Sequence, residues 1–164
     1  MSIPLDIIDK LSEHQNIIGL KDSEQDKNRL EEAVTKYRNR EDFVHQLGWA
    51  VQSVYGLSRG SDGLVPSTGN FVPGMYKELY ESVVNKNMER AGELQNVTNS
   101  ISKIYQTGKG LGHSLAALKV MMNEIGLCGT DMFPALTKLS MNEEIEIRKK
   151  VNEIRDTDNK RYLD

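Results

Sequence analysis

The first part of the chain alternates short apolar runs with longer amphipathic stretches. The apolar run at residues 17–20 is too short for a helix, and the helix-starting pattern Ser-Glu-Gln-Asp follows it at residues 23–26. This arrangement predicts a buried parallel strand that ends at Lys21 and leads into an amphipathic helix. Two further short strands are predicted at residues 43–47 and 63–65.

Strand and helix therefore alternate three times, which implies parallel strands joined by right-handed crossovers. The carboxyl ends of parallel strands lie at one edge of a sheet, so we expect Lys21, Gly48 and the Ser67-Thr68 pair on the same side. Barrel enzymes hold their catalytic residues at this edge. We expect Lys21 to occupy a half-dry pocket there, where a lysine amine acts as a nucleophile towards carbonyl groups.

The remaining sequence predicts helices. One helix, from about residue 3 to 14, precedes the first strand. Four apolar faces at helical spacing follow the third strand, and they consist of Tyr76, Leu79, Tyr80, Val83 and Val84; Leu94, Val97, Ile101 and Ile104; Leu115, Leu118, Met122 and Ile125; and Ile147, Val151 and Ile154. We expect two parts, with the strands in residues 1–86 and a helical region in residues 87–164.

Composition and charge narrow the class of protein. The 164 residues carry a formal net charge of -3, which offers no basic surface for phosphate backbones, so we expect no nucleic-acid partner. No apolar run approaches the length of a membrane span and the start lacks the features of a secretory signal, which predicts a cytoplasmic protein with no membrane contact. The single cysteine, Cys128, allows no internal disulfide.

A glycine-rich stretch at residues 108–112 and three histidines are further candidate sites. Glycines before a helix let backbone N–H groups approach a phosphate, but no strand precedes this stretch, so a loop between helices is favoured. His14 and His45 are interpreted as structural, with a pocket role left open for His45, and His113 as a cap or a solvent-facing residue. No histidine cluster has metal-ligand spacing, so we predict no metal and no cofactor.

The residues around Lys21 resemble a known signature. Ile-x-Gly-Leu-Lys-Asp-Ser, at residues 17–23, is similar to the second half of the lysine signature of the dihydrodipicolinate synthase and N-acetylneuraminate lyase family of class I pyruvate aldolases. Residues 43–48 resemble the seventh barrel strand of that family, and residues 60–65 resemble its Gly-Ala-Asp-Gly-Val-Ile eighth strand. Residues 66–70 are similar to the Ser-Thr-x-Asn segment of the sialic acid lyase branch and of sugar-acid aldolases.

The resemblance implies an α/β fold, namely the C-terminal part of a (β/α)8 TIM barrel (strands 6–8) followed by a C-terminal helical region. It also implies a Schiff-base lyase or synthase, in which Lys21 condenses with the ketone of a small-molecule 2-oxo acid, either pyruvate or a 2-keto-3-deoxy sugar acid. The protonated imine would then act as an electron sink for making or breaking the adjacent carbon–carbon bond. By the same resemblance, Gly48 and Val65 lie beside the bound keto acid, and Ser67 offers a hydroxyl to the substrate chain.

The sequence departs from the family pattern in two ways. In sialic acid lyases an acidic pair follows the glycine after the seventh strand, and here those positions are Ala50 and Val51. A nine-carbon substrate would leave hydroxyl groups unpaired there, which favours a shorter 2-keto-3-deoxy sugar acid or a dihydrodipicolinate synthase-like condensation. In addition, the carboxylate-binding loop and the tyrosine proton shuttle of the family are expected before Met1.

Three parallel strands cannot close a barrel of eight, and a homodimer supplies six. We therefore expect the exposed strand edges to be covered in a homo-oligomer, by a complementary N-terminal barrel segment, or within a longer polypeptide. A second hypothesis is a non-catalytic half-barrel that keeps the fold and binds a partner chain.

Overall fold

The computed structural model describes residues 2–163, and Met1 and Asp164 lie outside the described residues. The strands are β1 (Gly19–Asp22), β2 (Val44–Leu47) and β3 (Gly63–Leu64). The helices are α1 (Leu5–Leu11), α2 (Lys27–Tyr37), α3 (Ser53–Arg59), α4 (Pro73–Val84), α5 (Met88–Gln106), α6 (Leu111–Glu124) and α7 (Met141–Arg155). Short 3-10 turns cover Ala50–Gln52, Ser67–Asn70 and Asp158–Tyr162. Within residues 2–163, no helix combines the length and apolar content needed to cross a membrane.

The three strands form one parallel sheet in the order β1-β2-β3. Gly19 of β1 pairs with Val44 of β2, and Gln46 of β2 pairs with Gly63 of β3. The predicted alternation of strand and helix and the parallel sheet are therefore confirmed. The second strand begins at Val44, one residue later than predicted. Its pairing with the first strand starts there, because the N–H of Val44 donates a hydrogen bond to the carbonyl oxygen of Ile18 at 2.9 Å.

Helices α1, α2 and α3 supply buried side chains on one side of the sheet. One buried cluster joins Leu5, Ile8, Ala33, Tyr37 and Phe43, with Leu20 of β1 packed against it. A second cluster joins Leu30, Val34 and Leu47, with Leu64 of β3 packed against it. Because successive side chains of a strand alternate between the two sides, the opposite side carries Gly19, Lys21, Val44, Gln46 and Gly63. We call this opposite side the open face.

Helix α2 begins at Lys27, just after the predicted starting pattern at residues 23–26. Asp26 is its N-cap, because the Asp26 carboxylate accepts hydrogen bonds from two backbone N–H groups of the first turn at 2.8 and 3.1 Å. The side chain of Arg29 returns to the end of β1, where its Nε lies 2.9 Å from Asp22 Oδ2. This ion pair connects the first turn of α2 to the strand that carries Lys21.

Helix α1 is shorter than the predicted helix over residues 3–14. The helix ends at Leu11, and the Ser12 hydroxyl donates a hydrogen bond to the carbonyl oxygen of Asp9 at 2.7 Å. The predicted location of His14 at the helix end is therefore wrong. His14 lies in the turn that follows, where its Nδ1 accepts a hydrogen bond from the N–H of Asn16 at 3.2 Å.

The chain divides into two compact groups of residues. The first comprises the residues up to 67 together with 77–95 and contains the sheet, and the second comprises 68–76 and the residues from 96 onward. Within the second group, Arg148 of α7 binds Glu124 of α6 at 2.6 Å. The four helices predicted after the third strand are confirmed as α4 to α7. The predicted division at residues 86 and 87 stays a prediction of domain organisation.

Candidate functional site

The register of the sheet places Lys21 in a row with two residues that the sequence pattern did not reveal. Lys21 pairs with Gln46, and Gln46 pairs with Gly63, so the three residues lie side by side across the open face. Neighbouring strands are about 4.8 Å apart, so the side chains of Lys21 and Gln46 can both contact one small molecule. We call Lys21, Gln46 and Gly63 the lysine row.

A second row lies nearer the carboxyl ends of the strands and consists of Ser23, Gly48 and Val65. The N–H of Gly48 donates to the carbonyl oxygen of Asp22 (2.6 Å), and the N–H of Val65 donates to that of Leu47 (2.8 Å). A side chain at position 48 would overlap the Ser23 hydroxyl and approach the Asp22 carbonyl oxygen to 3.2 Å. The close approach of these two chain segments therefore requires glycine. We call Ser23, Gly48 and Val65 the mouth row.

Lys21 is exposed, and within residues 2–163 its ammonium makes no hydrogen bond or ion pair. An open cavity of about 310 Å³ adjoins it, and its other walls come from α1, the rest of β1 and the start of α2. The half-dry pocket expected around the amine is therefore not built by these residues. The Lys21 side chain is accessible, and none of the described residues pairs with it, so a carbonyl group can approach its nitrogen.

The carboxylate nearest in sequence to Lys21 does not neutralise it. Asp22 is buried, and its carboxylate lies on the helix side of the sheet with Arg29. Arg29 also donates a hydrogen bond to the carbonyl oxygen of Ile3 at 2.9 Å, which fixes the guanidinium. Alternation along β1 thus separates a buried structural ion pair from a lysine on the open face.

The Ser67-Thr68 pair is divided between two roles. Thr68 is fully buried, and its hydroxyl is 2.8 Å from the hydroxyl of Tyr105, both residues lying in the second compact group. Thr68 is therefore a core residue of the second compact group. Ser67 is half-buried at the start of the 3-10 turn after β3 and stays a candidate.

His45 lies in the core, among the residues that face the helices. It is fully buried, and its Nδ1 is 3.0 Å from the Ser61 hydroxyl, while its Nε2 has no partner among the described residues. Burial lowers the pKa of the imidazole below its ordinary value, although the carboxylates of Asp22 and Asp62 act in the opposite direction. His45 is therefore a structural histidine that does not contact the open face.

The glycine-rich stretch at residues 108–112 joins α5 to α6, so its interpretation as a loop between helices is confirmed. Among residues 2–163, no group of three or more His, Cys, Asp or Glu side chains is arranged to hold a metal ion. The chemistry available on the open face is therefore that of an amine, an amide, a hydroxyl and backbone groups.

Similar proteins share both the sequence and the fold. An uncharacterised DapA-like lyase of Pyrococcus abyssi is 32% identical over 121 residues, which cover 73% of this chain and 40% of that protein. The structure is similar to dihydrodipicolinate synthase from Bacteroides thetaiotaomicron, with a TM-score of 0.82, 25% identity, and coverage of 90% of this chain and 50% of that chain.

A third relative is a prophage protein of the dihydrodipicolinic acid synthase family from Escherichia coli K12, solved in complex with pyruvate. It has a TM-score of 0.75 and 18% identity over 88% of this chain and 48% of that chain, a likeness that shows the fold alone. The chain thus spans half or less of the length of these three relatives. The sequence matches the Dihydrodipicolinate synthetase family over residues 1–154. Because that match covers nearly the whole chain, the protein belongs to the Dihydrodipicolinate synthetase family.

Proposed function

We propose that this chain is the lysine-bearing part of a Schiff-base-forming lyase or synthase that acts on a 2-oxo acid. The observation that carries the proposal is an accessible, unpaired Lys21 amine at the carboxyl end of a parallel strand. Membership of the family supports a lyase of the class I aldolase type. The resemblance of residues 17–23 to the lysine signature of a family of pyruvate aldolases supports a 2-oxo acid as the substrate class.

In this proposal the Lys21 amine adds to the C2 carbonyl carbon of the 2-oxo acid, water leaves, and a protonated imine remains. The imine takes up the electron pair of the C3–H bond as that proton passes to a base, which gives an enamine. The enamine carbon bonds to an aldehyde carbon, the aldehyde oxygen takes the proton back from the base, and the protonated imine forms again. Hydrolysis of this imine releases the product and the free amine. Cleavage follows the same steps in reverse. The family resemblance assigns the role of the base to a tyrosine on the fifth barrel strand.

The mouth row would line the bound 2-oxo acid. Gly48 and Val65 offer backbone groups and one small apolar side chain, and Ser67 offers a hydroxyl to the distal part of the substrate. Ala50 and Val51 have no acidic side chains to pair with the hydroxyl groups of a nine-carbon substrate. These positions therefore favour a 2-keto-3-deoxy sugar acid or a dihydrodipicolinate synthase-like condensation over sialic acid.

We further propose that β1, β2 and β3 correspond to strands 6–8 of a (β/α)8 barrel. The partner would then be either a second copy of the chain, in a homo-oligomer, or a complementary N-terminal barrel segment. The exposed apolar side chains of Val44 and Val65 support a covered open face, since they are 38% and 45% exposed. The cytoplasmic location stays a prediction from the sequence.

Borohydride trapping tests the proposed chemistry. The chain is incubated with pyruvate and sodium borohydride, and peptide mass spectrometry then locates the reduced imine, an N-(1-carboxyethyl) group on lysine. We expect the adduct on Lys21, because this amine is unpaired and reduction makes imine formation irreversible. Lys21→Arg should abolish it.

Lys27→Arg is the matched control, since Lys27 is an exposed lysine of the adjoining α2 and should leave the adduct unchanged. Absence of the adduct in protein with a native circular dichroism spectrum would contradict the proposal. That result would support the non-catalytic half-barrel that binds a partner chain.

A further inference from the structure

The segment that follows Gly48 leaves the sheet at the edge where the candidate site opens. It forms the 3-10 turn Ala50–Gln52 and then enters α3 at Ser53. Gly48 lies one row further along the sheet than Lys21, on the same face, so this segment begins beyond the lysine row, towards the edge at which barrel enzymes bind their substrates. We call residues 49–54 the site wall.

The side chain of Gln95, from α5, makes two hydrogen bonds to the backbone of the site wall. Its Nε2 donates to the carbonyl oxygen of Ala50 at 3.0 Å, and its Oε1 accepts from the N–H of Val54 at 3.1 Å. Gln95 is 9% exposed, so water competes little for these contacts. One amide therefore connects the turn to the start of α3, from a position 41 to 45 residues away in the chain.

The start of α3 needs this contact, because its own N-cap residue, Gln52, provides no side-chain hydrogen bond. The first N–H groups of a helix have no partner within the helix, and the Gln95 oxygen satisfies one of them. The hydroxyl of Ser53, a fully buried residue, donates a further hydrogen bond to the Ala50 carbonyl oxygen at 2.7 Å. Two side chains thus hold one carbonyl oxygen of the site wall.

The site wall is fixed on the helix side and remains accessible elsewhere. Trp49 packs against the buried cluster that contains Leu47, whereas Val51 is 43% exposed. The methyl carbon of pyruvate is one bond from the carbon that would be held on Lys21, and the chain of a six-carbon acid extends three bonds further. A longer acid therefore passes the mouth row and approaches the wall, and pyruvate does not.

We propose that Gln95 is a positioning residue, which fixes the site wall so that 2-oxo acids longer than pyruvate bind on Lys21. Gln95 acts through the backbone of Ala50 and Val54 and does not touch the reacting atoms. This inference rests on the proposed imine chemistry, and it assigns the recognition of the longer substrates to a wall that is held from α5.

The test compares pyruvate with 2-keto-3-deoxygluconate, a six-carbon 2-oxo acid, by borohydride trapping on Lys21. The concentration for half-maximal trapping of each acid is measured in the wild type and in Gln95→Met, which keeps the side-chain length and removes both hydrogen bonds. We expect the value for the six-carbon acid to rise about threefold to tenfold, as for one lost neutral hydrogen bond, and the pyruvate value to stay within about twofold.

A second variant and a matched control make the result specific. Ser53→Ala removes the other hydrogen bond to the Ala50 carbonyl oxygen, so it should also raise the value for the six-carbon acid alone. Asn96→Met changes an exposed amide next to Gln95 in α5 and should change neither value. Hydrogen exchange reports the contact directly, since the Val54 N–H should exchange faster in Gln95→Met than in the wild type or in Asn96→Met.

A rise that is equal for the two acids in Gln95→Met and in Ser53→Ala would show a general structural effect and would overturn the inference. Unchanged values for both acids in the two variants would overturn it as well, with the proposed function left intact. If the wild type gives no adduct on Lys21, the proposed function fails and this inference fails with it.

Discussion

His45 is a buried imidazole whose charge state links the stability of the sheet to pH. Burial lowers its pKa in the folded protein below the ordinary value of 6.5. Between these two values the unfolded chain binds a proton that the folded chain does not, so acid favours unfolding. The stabilisation is fully present above 6.5 and is lost as the pH falls through that value towards the folded pKa.

We expect the free energy of unfolding to decrease as the pH falls from about 7.5 to about 5, with up to about 1.4 kcal/mol per pH unit arising from His45. Urea denaturation at a series of pH values measures this slope. His45→Gln replaces the imidazole with a neutral amide and should flatten the curve, whereas His14→Gln alters an exposed histidine and should not. Equal slopes in the wild type and His45→Gln would contradict this account.

Gly48 permits the close approach of two strand ends. A Cβ there would overlap the Ser23 hydroxyl and lie 3.2 Å from the Asp22 carbonyl oxygen, so we expect Gly48→Ala to cost about 1–3 kcal/mol of unfolding free energy. Ser23→Gly in the same chain should recover part of this loss, as a double-mutant cycle in urea would measure. Gly92→Ala is the control, because a Cβ at this helical position meets no atom within 4 Å.

The residues of the site differ in how far the sequence could predict them. Lys21 and Gly48 follow directly from where the apolar runs end, whereas Val65 was predicted from the family resemblance. The structure brings the three residues onto one face. Gln46 and Gly63 were missed because their place beside Lys21 depends on the register between strands. Register is set by contacts between residues far apart in sequence, so no local pattern reveals it.

At the scale of single elements, the start of α2 has two candidate N-cap residues, Ser23 and Asp26. The sequence pattern begins at Ser23, but the structure uses Asp26, whose carboxylate accepts two hydrogen bonds from the first turn. We expect Asp26→Ala to lower the free energy of unfolding by about 1 kcal/mol, and Ser23→Ala to lower it by clearly less. Chemical denaturation of the two variants measures the difference, and the reverse order would contradict the cap assignment.

Periodicity predicted these elements better than it predicted their ends. The apolar faces of α4 to α7 and the three parallel strands were visible, because each buries one side of a regular structure. The ends of α1 and α2 were not visible in the sequence. Ser12 follows the end of α1 and Asp26 caps the start of α2 through side-chain hydrogen bonds to the backbone. Other polar residues nearby can form the same kind of bond, so the pattern does not identify which one does. The same limitation explains the misplacement of His14.

At the scale of the whole molecule, the chain has a family-like fold but half or less of the length of the relatives described above. Its sheet has three strands, and the open face carries Lys21, Gln46 and exposed apolar side chains. The sequence predicted this conflict, because three strands are too few for the closed barrel that the resemblance implies. Which partner covers the open face could not be predicted, because contacts between chains leave no local pattern in one sequence.

Self-association through the open face is the outcome we expect for the isolated chain. Val44 and Val65 are exposed apolar side chains of this face, and burying them against a second copy removes apolar surface from water. Sedimentation velocity should therefore give a mass above that of the 18.5 kDa monomer, increasing with concentration. The double variant Val44→Lys and Val65→Lys should shift the chain towards monomer, because burying two ammonium groups in the contact would remove their hydration. Val84→Lys is the control, because Val84 is an exposed residue at the end of α4, and this variant should associate like the wild type. If the double variant also associates like the wild type, the open face is not the contact between copies.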